Sequence, residues 1–416
     1  MSVHHDRVFA ALEMREPDRV PTMDVMEEYD NIYEILGKKP TPLDFFLTNR
    51  YTSKVIDKIA PLINRSRLLD LEMDHFSHDR TEAAVKMGYD SAWVYHVPIL
   101  RFSDSKTMYD IYGSGYNVVL DKKGNVGTPM YSGGLIKSPA DWDTWDKSDI
   151  FGLPARCNKV YSRIQKDFGD EIFIFGAPPV GIFDTTCLTL GFPRFAIALR
   201  KEKAFLRRFI KFYEDHVCMM IEAIADAGLP GMVHGDDMAY KSGPMVSPKQ
   251  MDEFYGDSYR RVTETAHRNG MKIVVHTDGN VYPLLELFAE WGFDGVHALE
   301  PTANVELSKV KELIGDRLCL LGNMDITHIL VDATKEEVYE AVRGSIAAAG
   351  RDGGYIIAPT NSHPDISLDR LRWMLEAVEE YGDYPLSVWS NRSKGACHEG
   401  LEEQSGSDHR CGQRDR

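Results

Sequence analysis

Gly231-Met232-Val233-His234-Gly235-Asp236-Asp237, then Ser247-Pro248-Lys249-Gln250, then Lys272-Ile273-Val274-Val275-His276-Thr277-Asp278-Gly279-Asn280 is the stretch that decides the fold. A short apolar run stops at a glycine and two acids. A capping box with proline at the first helical position opens a helix that the pattern carries to about Arg268. A second apolar run, rich in β-branched residues, then stops in another polar loop. Strand, helix and strand in this order make a βαβ unit, and strands without polar alternation belong to a parallel sheet buried on both faces.

The same unit recurs in both directions. Upstream, Ile172-Phe173-Ile174-Phe175 ends at Gly176-Ala177-Pro178-Pro179. A helix carrying Phe205, Phe209, Tyr213, Val217, Ile221 and Ile224 follows, and Gly228 and Pro230 stop it. Downstream, a helix to about Trp291 leads to a strand Gly295 to Ala298, ending at Glu300-Pro301. Another helix leads to Leu318-Cys319-Leu320-Leu321, which runs into Gly322-Asn323-Met324-Asp325. A capping box at Thr334 to Glu337 opens a helix to about Ala349. Tyr355-Ile356-Ile357 is the last strand, Ala358-Pro359-Thr360-Asn361-Ser362-His363 its loop, and Leu368 to Tyr381 the last helix. This unbroken run predicts an α/β fold, a closed (β/α)8 TIM barrel, with an open doubly wound sheet as the alternative.

The first part is less regular. Val8 and Leu12 mark a short helix ended by Pro17 and Pro21. Residues 31 to 150 are aromatic-rich and mixed, and Pro129 to Trp145 reads as a loop leading into a short helix. Residues 1–391 are expected to form a single domain. Residues 392–416 are polar, lack apolar periodicity and read as a disordered tail. Cys397, His398, His409 and Cys411 lie in that tail at spacings that match no zinc pattern.

A formal net charge of −16 argues against nucleic-acid and anionic-lipid surfaces as partners. Six scattered cysteines without a CxxC pair suggest neither a zinc ribbon nor a disulfide framework. No apolar run approaches the roughly 20 residues of a membrane span, and the first residues lack a signal-peptide core. The expected setting is cytoplasmic and the expected ligand a small molecule.

Barrel enzymes carry their chemistry at the C-terminal ends of the strands. Those positions hold Asp236-Asp237, His276-Thr277-Asp278, Glu300, Asn323 with Asp325, and Asn361 with His363. Asp236 and Asp237 are acid/base candidates, or a cap. His276 ends a β-branched strand and is expected to point into the mouth. Asp278 can share a metal with it, orient it, or cap the next helix. No GxGxxG, P-loop or nucleophile elbow is present.

On Gly176-Ala177-Pro178, the Ala227 to Asp237 stretch, Val275 to Asn280, Gly322 to Asp325, Pro359 to Asp365 and Glu376 to Gly382, the chain resembles the uroporphyrinogen decarboxylase superfamily. The resemblance implies a (β/α)8 barrel. It departs from true uroporphyrinogen decarboxylases near the N-terminus. Their arginine-bearing segment corresponds to Val20-Pro21-Thr22-Met23-Asp24-Val25-Met26-Glu27-Glu28, which is acidic and would repel a polycarboxylate substrate. The chain looks closer to the corrinoid-dependent methyltransferases, whose zinc site resembles His-x-Cys with a later Cys. Here His276 is kept, Asp278 stands at the first Cys, and Thr360 to His363 offers none.

The resemblance therefore implies a methyltransferase moving a methyl group between a small methylated substrate, an O-methyl compound among the candidates, and a corrinoid protein. Zinc is expected on His276, Asp278 and Glu300. His276, Asp278, Asp236 and Asp237 are the catalytic candidates, and Asn323, Asp325, Asn361 and His363 the substrate-binding ones. No Asp-x-His-x-x-Gly run is present, so cobalamin would ride on a partner protein. A homodimer is among the expected assemblies. The alternatives are a metal-free decarboxylase or related lyase acting on a smaller acid, and a non-catalytic binding barrel.

Overall fold

The structure is a computed structural model that describes residues 2–387 apart from 26, 40–57, 59, 65–67, 96–99, 105, 119–128, 180 and 364. The expected tail, 392–416, lies outside the described residues. Eight strands form one sheet in sequence order: β1 (Met23–Asp24), β2 (Ser91–Tyr95), β3 (Phe173–Ala177), β4 (Gly231–Gly235), β5 (Lys272–Thr277), β6 (Gly295–Ala298), β7 (Cys319–Met324) and β8 (Tyr355–Pro359). Every pairing is parallel. A parallel bridge from Thr22 to Ile357 joins the first strand to the last, with the Ile357 N–H donating to the Pro21 carbonyl at 2.9 Å. The sheet is thus a closed barrel, as the repeated unit predicts.

Alternation along each strand divides two cores. Phe173, Phe175, Val233, Val274, Leu321 and Ile356 fill the barrel, joined by Val8, Ala11 and Leu12 of the N-terminal helix Val3–Leu12. Ile174, Met232, Ile273, Val275, Val296, Leu320 and Ile357 face outward onto the surrounding helices. Strands apolar on both faces are what this two-sided burial requires. The four described cysteines, Cys157, Cys187, Cys218 and Cys319, are buried free thiols.

The expected helices to Arg268, from Lys335 to Ala349 and from Leu368 to Tyr381 are all present; the first contains a π turn at Asp252–Gly256. Thr334 and Glu337 form the full reciprocal capping box. Ser247 accepts from the Gln250 N–H, while the Gln250 side chain meets the Ser247 hydroxyl. Two helices, Phe183–Leu190 and Phe192–Lys201, follow β3 before the long helix Lys203–Asp226 begins. The mixed region before residue 150 contains a four-stranded antiparallel sheet, Leu100–Phe102, Thr107–Asp110, Ser114–Asn117 and Met130–Gly134. Its strands are too short, and its last too glycine-rich, to show a period. The stretch after Pro129 is accordingly a strand before it becomes the helix Pro139–Thr144.

The short first strand is anchored to the second by one buried acid. Asp90, fully buried at the entry to β2, accepts from the Thr22 N–H at 3.0 Å and the Thr22 hydroxyl at 3.1 Å. It also meets His4 Nδ1 at 2.8 Å, Arg7 Nη1 at 2.9 Å and Arg19 Nη2 at 3.2 Å. Burial pushes this carboxyl upward, but the hydrogen bond from His4 and the charges of Arg19 and Arg7 outweigh it and hold it at about 2. An unfolded carboxyl titrates near 3.9, so the stabilisation, about 2 kcal/mol, is complete above roughly pH 4 and fades as pH falls through about 2. Asp90→Asn is expected to lower unfolding free energy by about 2 kcal/mol at neutral pH, since it removes the charge facing the half-buried Arg7 and Arg19, although Arg7 keeps its pairing with Asp18. The gap from wild type should narrow as pH falls from about 4 and be mostly gone at about pH 2, where the wild-type carboxyl protonates. Urea unfolding at both pH values checks this; identical midpoints at neutral pH would remove Asp90 from the closure.

Candidate active site at the barrel mouth

The C-terminal ends of β2 to β5 surround a cavity of about 410 Å³ lined by Trp93, Pro178, Pro179, Asp184, Asp237 and His276 among others. A larger cavity of about 670 Å³, beside Met14, Lys311 and Arg351, lies where the chain enters β7 and β8. That is the barrel end associated with stability rather than chemistry.

The acids at the mouth divide by their partners. Asp236 is buried and accepts four hydrogen bonds, three of them through one oxygen. It accepts from the backbone N–H groups of Ile182 at 2.9 Å, Phe183 at 3.0 Å and Asp184 at 2.7 Å, and from the Tyr259 hydroxyl at 2.7 Å. Helix Phe183–Leu190 has no side-chain cap from its own N-cap residue, so Asp236 supplies one from the end of the neighbouring strand β4. Gly181 makes room for it: a Cβ there would sit 2.4 Å from the carboxylate. Burial pushes Asp236 up, yet the His234 ring, 3.4 Å away, and the amide donors hold it below the usual carboxylate range. The structure thus places Asp236 as the cap of this helix, at the edge of the cavity.

Asp184, which sequence reasoning missed, sits in that first turn and lines the cavity. Burial, then the charges of Asp236 and Asp237, push its carboxyl well above the usual range and favour the protonated form. No motif marks it in the sequence, because its role depends on a helix docking against the Asp236 loop.

Asp237, His276 and Asp278 come together with their ligand atoms all within 4.8 Å of one another. The Asp237 carboxylate accepts from the Asp278 N–H at 3.1 Å. Asp278 accepts from Asn361 Nδ2 at 2.9 Å through one oxygen. Its other oxygen is buried without a hydrogen bond, 3.7 Å from His276 Nε2. Burial above all, with Asp237 and Glu300 adding to it and His276 opposing, pushes Asp278 up to about 6.

His276 points inward, as expected. Its Nδ1 lies 2.7 Å from Nδ1 of His297, its direct neighbour on β6, and His297 Nε2 donates to the Pro359 carbonyl at 2.9 Å. Burial, then the neighbouring His276, push His297 down to about 3. His297 was also missed, although its inward parity on β6 was readable.

The other expected residues disperse. Glu300 accepts from the Gly279 N–H at 2.6 Å and stands outside the group of three. Asn323 turns outward and meets the Ser345 hydroxyl at 3.4 Å. Alternation breaks just before it at Gly322, whose φ is 132° and whose Cβ position lies 2.3 Å from the Ala298 carbonyl. Asp325 accepts from the N–H groups of Thr327 and His328 and closes its own turn. The His363 N–H donates to Glu28, and its Nδ1 accepts from the Asp365 N–H.

The family model for uroporphyrinogen decarboxylase (URO-D) matches residues 102–381. The chain belongs to the uroporphyrinogen decarboxylase family. Among solved structures, a methyltransferase from Methanosarcina mazei is similar over 90% of this chain and 98% of its own, with 18% identity and a TM-score of 0.63. At that identity the likeness is one of fold. A B12-independent methionine synthase from Shewanella sp. W3-18-1 shows 11% identity, coverage of 87% and 96%, and a TM-score of 0.40. A 3-keto-D-glucoside 4-epimerase from E. coli shows 13% identity, coverage of 55% and 86%, and a TM-score of 0.36. Comparison with curated protein sequences finds no match. Among the described residues no helix is long and apolar enough to cross a membrane.

The family match spans β3 to β8, and with them Asp184, Asp236 and the Asp237, His276 and Asp278 group. In this uroporphyrinogen decarboxylase-family barrel, Asp236→Asn would turn an amide NH₂ toward backbone donors. It is expected to cost about 2 kcal/mol of stability. Asp237→Asn should leave the thermal midpoint nearly unchanged. Equal melting shifts in the two variants would contradict this division of roles.

Proposed function

We propose that this family member is a methyltransferase that moves a methyl group between a small methylated substrate and a corrinoid protein. On this reading Asp237, His276 and Asp278 hold a divalent metal, with zinc the first choice. The observation that carries it is the pairing of His276 Nε2 with a buried Asp278 oxygen that has no hydrogen-bond donor, beside a second carboxylate. Such a set answers to a cation. One nitrogen and two carboxylates are harder donors than a thiolate set and favour an oxygen substrate, such as a methyl ether, over a thiol. When bound, the metal supplies Lewis acidity toward the oxygen that loses its methyl group.

The chain's own residues would do the rest. Trp93, Pro178 and Pro179 offer an apolar wall to the methyl-bearing end of the substrate. Asn361 holds Asp278 in place through its amide. Asp184 keeps a proton at the cavity wall, within the same pocket as His276. The cobalamin would come on a separate protein that reaches the open mouth.

A second reading, a metal-free lyase acting on a small acid, is favoured by Asp278 itself, which at about 6 can donate a proton near neutrality. Elemental analysis of protein supplied with zinc separates the two. About one metal per chain, lost in His276→Ala, is expected. Incubation with an aryl methyl ether and a cob(I)alamin-loaded corrinoid protein should then develop the absorbance of methylcobalamin. No metal in the wild type, together with CO2 released from a carboxylic acid, would transfer the assignment to the lyase.

A further inference from the structure

We infer that His297 is a positioning residue: it fixes the tautomer of His276 so that the Nε2 lone pair of His276 faces the cavity. The argument rests on counting donors and acceptors. The Pro359 carbonyl can only accept, so the Nε2 of His297 that lies 2.9 Å from it carries a hydrogen. His297 is fully buried, and among the described residues no carboxylate pairs with it, so a charged ring there would be uncompensated. A neutral ring with hydrogen on Nε2 has a bare Nδ1. The 2.7 Å contact between the two Nδ1 atoms then requires the hydrogen to come from His276. A neutral His276 that donates from Nδ1 has its lone pair on Nε2, and that atom looks toward the Asp278 oxygen that has no hydrogen bond.

Three things make this relay rigid. The two histidines are register partners on adjacent strands. Their rings lie 4.9 Å apart, and Trp93 packs against both, at 4.9 Å from His276 and 5.8 Å from His297. The relay also ends on backbone, so no side-chain rotation can reverse it. Metal-ligating histidines are commonly oriented through their second nitrogen in this way, usually by a carboxylate or a carbonyl. Here a second imidazole transmits the carbonyl's preference, which delivers orientation without placing another negative charge beside Asp237 and Asp278.

The consequence for affinity rests on the metal reading above, while the tautomer itself does not. In metal-free wild type with ¹⁵N-labelled histidine at alkaline pH, NMR should show His276 protonated on Nδ1 and bare on Nε2. His297→Phe keeps a ring against Trp93 but removes the acceptor, and should admit the other tautomer. His297→Gln can accept from His276 and donate to Pro359, and should restore the wild-type pattern. Zinc affinity by chelator competition is expected to fall about 10- to 100-fold in the Phe variant. It should recover to within a few-fold of wild type in the Gln variant. A wild-type His276 carrying its hydrogen on Nε2, or zinc affinity equal in the Phe variant and wild type, would overturn the relay. Wild type that binds no zinc removes the metal reading alone, and the tautomer then decides the relay by itself.

Discussion

A barrel is free of edges only when its first strand is held against its last, and here the first strand is two residues long. Two residues provide little ladder bonding, so beside the Thr22 to Ile357 bridge that joins it to the last strand, the first strand is anchored to the second by the buried carboxylate of Asp90. That group gathers the backbone and hydroxyl of Thr22 and the charges of Arg7 and Arg19 at one point. Breaking a buried pair of this kind costs more than forming it gains, so the arrangement acts chiefly to specify a single closed geometry. The interior that this closure defines brings Trp93, His276 and His297 into mutual contact.

At the mouth the same low-dielectric setting separates acids that look alike in sequence. Asp236 and Asp237 are consecutive. One is surrounded by amide donors and stays ionised as the cap of a neighbouring helix, and the other is half-buried beside His276 and Asp278. Asp184, in the helix that Asp236 caps, is pushed the opposite way by burial first and then by the charges of that cap and of Asp237. A carboxylate that caps a helix therefore adds, through its charge, to the protonation of a buried neighbour.

Legibility followed strand parity. His276 and Asp278 were readable because a β-branched strand of clear phase runs straight into them, and the barrel places such ends together. The same logic would have found His297, one strand over, had the interior been read as well as the loops. It failed at Asn323, where Gly322 lets the backbone pass close to the Ala298 carbonyl and the side chain leaves on the outer face. Glu300, at the end of a correctly read strand, was spent on the backbone of Gly279. The antiparallel sheet before residue 150 was illegible because its strands, three to five residues long, span too few repeats to stand out from the mixed sequence around them.

The sequence by itself determined the parallel barrel, most of its helices from β4 onward, and the strand ends where chemistry gathers. These follow from local periodicity and turn residues, which act over a few neighbours along the chain. The tertiary structure alone decided which polar groups at those ends are spoken for. Whether a carboxylate caps a helix, closes its own turn or stands free beside a histidine depends on which backbone donors arrive from elsewhere in the chain. So does the tautomer of His276, which is set by a carbonyl on β8 acting through a ring on β6.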